Sequence, residues 1–327
     1  MLKPGGYFFR GVVMQYSKPP LSISEQAQLL LDRGMACDDR QRLEHYLSFI
    51  GYYRLSAYWL PFEQPSTDSA SRNHSFQSGT TFEQILALYI FDRKLRLLVM
   101  EAIERIEVAV RTRWASSLAL QHGSHAYMDS SLFKSPWQHI SDLARVAGDL
   151  HESSETFVAH YRQKYRDPYL PPIWAVVETM SLGALSRWIK STKDNHVKRE
   201  MAQALGMPTI EIMEQVLHAL TPIRNICAHH ARLWNRRFTL LIPNIRRLHG
   251  EIMTESIPTP DGQSQVQPTR EIHNFLVIIR HLMKQINPGT SWDTRLIQHV
   301  RQLSDGQQRA MGFPHDWESR QPWSEAS

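Results

Sequence analysis

Between Thr221 and Asn235 the chain reads TPIRNICAHHARLWN, placing Arg224, Asn225, His229 and His230 within seven residues otherwise made of Ile, Cys and Ala. An arginine held near a histidine suits phosphodiester chemistry. The guanidinium grips phosphate oxygens in pairs and stabilises charge that grows in the transition state. An imidazole, with an ordinary pKa of about 6.5, moves a proton on or off an oxygen near neutral pH. RNA carries its own nucleophile, the 2′-hydroxyl, so such a site needs no metal or other cofactor. On a helix Asn225 and His229 stand at i and i+4, one above the other. Arg232, Arg236 and Arg237 follow and could hold phosphates, as could His230. The spacing alone is weak. Arg40 and His45 repeat it, and Arg309 and His315 come within one residue of it. A histidine satisfied at a helix–helix contact is the commoner outcome of such a pattern.

The elements that must position these residues are helical. Pro222 has no backbone N–H, so it either opens a helix capped by Thr221 or kinks one already running from the PTIEIMEQVLHAL stretch. Upstream, LSISEQAQLLLDRGM carries Ser22 and Glu25 as a capping box and Gly34 as a stop. Leu43, Tyr46, Leu47 and Ile50 follow at helical spacing, and Gly51 marks a break or kink. The strongest pattern lies over residues 80–120. Thr80 and Glu83 suit a capping box, and Leu88, Phe91, Leu95, Leu98, Val99, Ala102, Ile103, Ile106, Val110 and Trp114 form one stripe. Unbroken, about forty residues would span on the order of 60 Å, so an interruption is expected. IWAVVETMSLGALSRWIK, with Gly183 inside it, and REIHNFLVIIRHLMKQI complete the helical set. Strand-like alternation is scarce, and the fold class is mostly α.

Residues 64–79 and 254–269 are polar and turn-rich and read as loops. Residues 304–327 lack a period and read as a mobile tail, and residues 1–16 as an N-terminal extension in which Met14 offers a second start. Residues 17–303 are left as a single all-helical domain.

Hydrophobic residues make up 42% and charged residues 21% of 327, a globular composition that excludes disorder. The net charge of +5 permits a polyanionic partner without requiring one. Two cysteines, Cys37 and Cys227, form no disulfide framework and fit a reducing compartment. Cys227 reads as a small buried residue. No apolar run approaches membrane-spanning length, and the start of the chain lacks the apolar core of a signal peptide. A cytoplasmic protein without a membrane partner is expected.

Arg93, Lys94, Arg96, Glu101, Glu104, Arg105, Glu107, Arg111 and Arg113 read as the solvated face of the long helix. Glu101–Arg105 and Glu107–Arg111 pair at i, i+4. The aromatic run GYYRLSAYW could stack bases but reads first as core.

RNICAHHARLWNR resembles the signature of the Abi-like family, the AbiD/AbiF type of bacterial abortive-infection proteins, within the HEPN superfamily of helical nucleases. KPPLSISEQAQLLLDRGM, YLSFIGYYRLSAYWLPF, FDRKLRLLVMEAIERIEVAVRTR and PPIWAVVETMSLGALSRW resemble further blocks of that family in the same order, over roughly residues 17–285. The resemblance implies a HEPN-type helical bundle with additional N-terminal helices. It implies Arg224 and His229 as a catalytic pair, with Asn225 orienting them. His230 stays open, because the motif's gap varies by one residue. It also implies a metal-independent endoribonuclease acting in anti-phage abortive infection, working as a homodimer with a composite cleft and restrained by an RNA or protein antagonist. A non-catalytic RNA-binding or regulatory protein of the same fold is the alternative.

Overall fold

The computed structural model describes residues 17, 19–65, 72–259 and 261–325. The expected N-terminal extension and residues 66–71 of the first polar loop lie outside them. The chain divides into two compact units between Ile90 and Phe91, a division absent from the sequence reading of one domain over 17–303.

The first unit begins with α1 (Ile23–Asp32), α2 (Arg40–Ile50) and α3 (Tyr52–Trp59). Ser22 and Glu25 form the expected capping box on α1. Gly51, at φ +87°, separates α2 from α3 in a backbone conformation that disfavours side chains. Ala27, Leu30, Leu43, Leu47 and Leu55 are buried. The aromatic run divides: Tyr58 and Trp59 enter the core, whereas Tyr53 is 92% exposed.

Next comes α4 (Phe82–His122), 41 residues without interruption, so the expected break does not occur. No proline or glycine lies inside it, which removes the usual causes of a kink. Its start also differs from expectation by one residue. Thr81 and Gln84 exchange the capping hydrogen bonds (Gln84 N to Thr81 Oγ1, 3.2 Å; Thr81 N to Gln84 Oε1, 3.0 Å) in place of Thr80 and Glu83.

The remaining helices belong to the second unit: α5 (Pro136–Glu152), α6 (Thr156–Lys164), α7 (Ile173–Val176), α8 (Leu182–Ser191), α9 (Asn195–Ala204) and α10 (Ile210–Ala228). Beyond them lie β1 (Thr254–Pro258), β2 (Ser264–Pro268), α11 (Ile272–Ile286), α12 (Trp292–Val300) and α13 (Asp305–Arg309). The two strands pair antiparallel, Ser256 opposite Val266, so the polar segment 254–269 is a hairpin where a loop was expected. The mostly α class holds, and that hairpin is the one sheet among the described residues.

Two contacts centre the second unit on the motif helix. α10 packs on α8 and α9. A Cβ added at Gly183 would sit 3.0 Å from Thr221 Cγ2, so glycine there permits the close approach of α8 to α10. From Ile272 to Ile279 every residue of α11 is buried. The segment after Ser304 is held as well: Trp317 and Trp323 are 2% and 1% exposed, which corrects the expectation of a mobile tail over residues 304–325.

Candidate functional site

α10 carries the motif at its C-terminal end. It runs from Ile210, capped by Thr209, straight through Pro222. Thr221 therefore caps nothing; its hydroxyl donates to the Leu217 carbonyl at 3.2 Å. Met213, Val216, Leu217, Leu220, Ile223 and Cys227 are buried at steps of three and four. That apolar stripe turns Asn225 outward, and Asn225, His229 and His230 are all exposed.

The helix closes in a Schellman motif. His229 is the C-cap, with its N–H 2.9 Å from the Asn225 carbonyl. His230 then takes φ +57°, its N–H reaching the Cys227 carbonyl (3.2 Å), while the Ala231 N–H reaches Ile226 (3.0 Å). Glycine ordinarily occupies that left-handed position, because a Cβ there is strained. In this chain a histidine holds it.

Beyond the turn the backbone is fixed by Asp92 of α4. This carboxylate is fully buried and accepts the N–H groups of Leu233 (3.2 Å) and Trp234 (2.7 Å). It also pairs with Arg96, itself 5% exposed. Trp234 donates its indole N–H to the Gln307 carbonyl at 3.2 Å.

Arg224 lies on a different side of the helix end from Asn225. Its Nε sits 3.5 Å from the Glu107 Oε2, close enough for charge attraction but without hydrogen-bond geometry. Glu107 is 5% exposed and also takes Arg111 at 2.5 Å. Arg111 in turn donates to the Met180 carbonyl at 2.7 Å and faces Glu178 at 3.5 Å. A buried carboxylate thus sits between two guanidinium groups, and Arg224 keeps its remaining donors.

The expected solvated face of the long helix needs correction at Arg96 and Glu107, which are buried. Sequence reasoning missed their roles and that of Asp92, yet a signal was present. Asp92 is three and seven residues from Leu95 and Val99, and Glu107 three and seven from Val110 and Trp114, so both acids fall on the apolar stripe. The expected pair Glu101–Arg105 forms at 3.3 Å, with Arg295 bound to the same carboxylate at 2.6 Å.

Downstream, Arg236 donates to the Arg232 carbonyl at 3.1 Å. Arg237 is drawn to Glu255 (3.2 Å) and Glu271 (3.4 Å), which compensate its charge. Cys227 is buried beside Asp92 and Arg96, and burial pushes its thiol up to about 12. The look-alike pair at Arg40 and His45 is engaged elsewhere: Arg40 binds Glu44 at 2.9 Å, and His45 packs its ring 4.9 Å from that of Phe49. Among the described residues no group of three or more His, Cys, Asp or Glu side chains could hold a metal ion, and no helix is long and apolar enough to cross a membrane.

No curated protein and no solved structure matches the chain. A family model does, from residue 45 through 235, more than half of the chain and including Arg224, Asn225, His229, His230 and Arg232 but neither Arg236 nor Arg237. The match takes in the blocks between Tyr46 and Trp188 and the motif but not the block at residues 18–35, and the chain belongs to the family described as Abi-like protein.

Proposed function

We propose that this protein is a metal-independent endoribonuclease of HEPN type, acting in the cytoplasm in anti-phage abortive infection. The observation that carries the reading is His230 in the left-handed position at the end of α10, next to exposed His229 and Asn225. Non-glycine residues in that conformation are under strain of about 1–3 kcal/mol and cluster at functional sites. A stability-driven sequence would place glycine there.

The chemistry follows from the side chains. His229 takes the proton of a ribose 2′-hydroxyl as its oxygen attacks the adjacent phosphorus. The bond from phosphorus to the 5′-oxygen breaks, and that oxygen receives a proton. The products are a 2′,3′-cyclic phosphate and a 5′-hydroxyl. Arg224 stabilises the charge on the non-bridging phosphate oxygens, its guanidinium drawn toward Glu107 by charge alone. Asn225 orients the Arg224/His229 pair. A homodimer supplies a second Arg224/His229 set, so that one imidazole acts as base while the other protonates the leaving oxygen. An RNA or protein antagonist keeps the nuclease quiet until infection.

The test is cleavage of diverse RNAs in EDTA by the wild type, Arg224→Ala and His229→Ala. Cutting by the wild type that both variants lose, with cyclic-phosphate ends, is the expected result. Ends carrying a 3′-hydroxyl and 5′-phosphate, formed only with added metal, would remove this mechanism. A second reading, RNA binding without cleavage, draws on the same Glu107: a guanidinium already beside a buried carboxylate is a weaker phosphate clamp. It predicts salt-sensitive RNA affinity with no cutting.

A further inference from the structure

Two cavities flank α5 and α6, and they have opposite characters. One, of about 800 Å³, is lined by Asp149, Glu152, Glu155 and Glu178 and would repel a polyanion. The other, of about 330 Å³, is lined by His151, Arg162, Tyr165, Arg166 and Tyr169 over apolar Leu150 and Val158, with no carboxylate among its lining residues.

The backbone around the second cavity is anchored. The Tyr161 hydroxyl donates to the Pro168 carbonyl at 2.9 Å and the Tyr127 hydroxyl to Pro171 at 2.7 Å. His125 Nε2 lies 3.1 Å from the Leu170 carbonyl, and Arg162 donates to the Leu150 carbonyl. Between these anchors Tyr169 is 86% exposed. A ring held in solvent by a fixed backbone contributes little to the core. Tyr165 stacks at a tilt on Tyr161, with centroids 5.0 Å apart, and Lys164 Nζ sits 5.3 Å from the Tyr165 centroid. Arg166 and Lys164 form no ion pair among the described residues, and Asp167 is the one carboxylate between Tyr161 and Pro172.

Exposed rings beside uncompensated cations are the pattern that holds single-stranded nucleic acid: bases stack on the rings and phosphates meet the cations. The volume suits one nucleotide rather than a duplex, and unpaired bases are the ones free to splay onto aromatic faces. We propose that this cavity is a substrate subsite that takes one nucleotide of single-stranded RNA, its base stacked on Tyr169 and its phosphate held by Arg166. This rests on the RNA reading above and adds where unpaired RNA is selected.

The test measures binding of a labelled single-stranded RNA by anisotropy in the non-cutting Arg224→Ala protein, alone and combined with Tyr169→Ala, Tyr169→Phe or Arg166→Ala. Both added positions, Tyr169 and Arg166, are exposed, so folding is not at stake. Tyr169→Ala should weaken binding roughly ten-fold, the loss of one stacked base, while Tyr169→Phe stays close to the parent. Arg166→Ala should lower the salt slope by about 0.7, the share of one phosphate on a single strand. Equal affinity and equal slope across parent and variants overturn the subsite while leaving the nuclease reading intact. A weaker Tyr169→Ala complex, together with a wild type that never cuts RNA, supports the subsite and sinks cleavage alone. No RNA affinity in any of the proteins, or binding of an acidic peptide in place of RNA, overturns both.

Discussion

Asp92 Oδ1 accepts the backbone N–H of Trp234 at 2.7 Å, joining the long helix to the turn that ends the motif helix. The same carboxylate, itself fully buried, takes the Leu233 N–H and the nearly buried Arg96 guanidinium. A buried charge with this many partners is stable only because each is present. The position of His229 and His230 is therefore set from α4, more than a hundred residues earlier in the chain.

Replacing Asp92 with alanine leaves Arg96 buried without its carboxylate and orphans two backbone donors. A loss of about 3–5 kcal/mol in unfolding free energy is expected, read from urea denaturation. Removing the charge on both sides, Asp92→Ala with Arg96→Met, should lose less than the sum of the single changes. Strict additivity would show that the pair is not the reason for the loss.

His230→Gly separates folding from function. Glycine relieves the left-handed strain but adds freedom to the unfolded chain, so stability should stay level or rise by up to about 1 kcal/mol. If the histidine serves the site, RNA cleavage or binding falls in a protein that is no less stable. Full activity in His230→Gly would reduce His230 to a helix terminator and remove the observation on which the proposed function leans most.

Much of the helical scaffold was legible because it rests on local rules. The Ser22 box, the stop at Gly34 and the break at Gly51 need only neighbouring residues to be recognised, and each occurs. The uninterrupted α4 was not legible, since length argued for a break while composition offered no residue to make one. The Ser256–Val266 pairing was hidden because its strands are polar, with the alternation too shallow to stand out from a loop. Trp323 finds burial against His273 of α11, and Trp317 against Phe313 and Gln308 just upstream, contacts that no periodicity records. At the site the motif residues were visible by type. That Arg224 leans on Glu107, and that Asp92 holds the turn, required knowing which face of α4 turns inward.

The two thiols should differ sharply in reactivity. Burial pushes Cys227 up to about 12, so almost none of it is thiolate at pH 8. Cys37 is also shifted upward by burial, but it is only half-buried. Iodoacetamide at pH 8 should label Cys37 slowly in the native protein and reach Cys227 only when urea unfolds it, as peptide mass mapping will show. Rapid native labelling at Cys227 would mean that the apolar side of the motif helix opens readily.

His273 links acid stability to the C-terminal segment. It is fully buried on α11, accepts the Trp323 indole N–H on Nε2 at 3.1 Å and has Nδ1 3.3 Å from Asn274 Oδ1. Both contacts suit the neutral ring with its proton on Nδ1. Burial lowers its pKa to about 4, against 6.5 for a free imidazole. Between those values the unfolded chain holds a proton that the folded chain refuses, so unfolding free energy rises with pH there. The contribution is complete above about pH 6.5 and is lost as pH falls toward 4. Its full size is on the order of 3 kcal/mol, and its steepest slope about 1.4 kcal/mol per pH unit. His281 and His299 are shifted downward by burial too and add to the same trend. His273→Gln isolates one share, because a glutamine carbonyl can still accept from Trp323 without titrating. Urea midpoints at pH 7.5, 6, 5 and 4.5 should fall less steeply for His273→Gln than for the wild type. Parallel curves for the two proteins would show that His273 does not anchor Trp323 as a neutral ring.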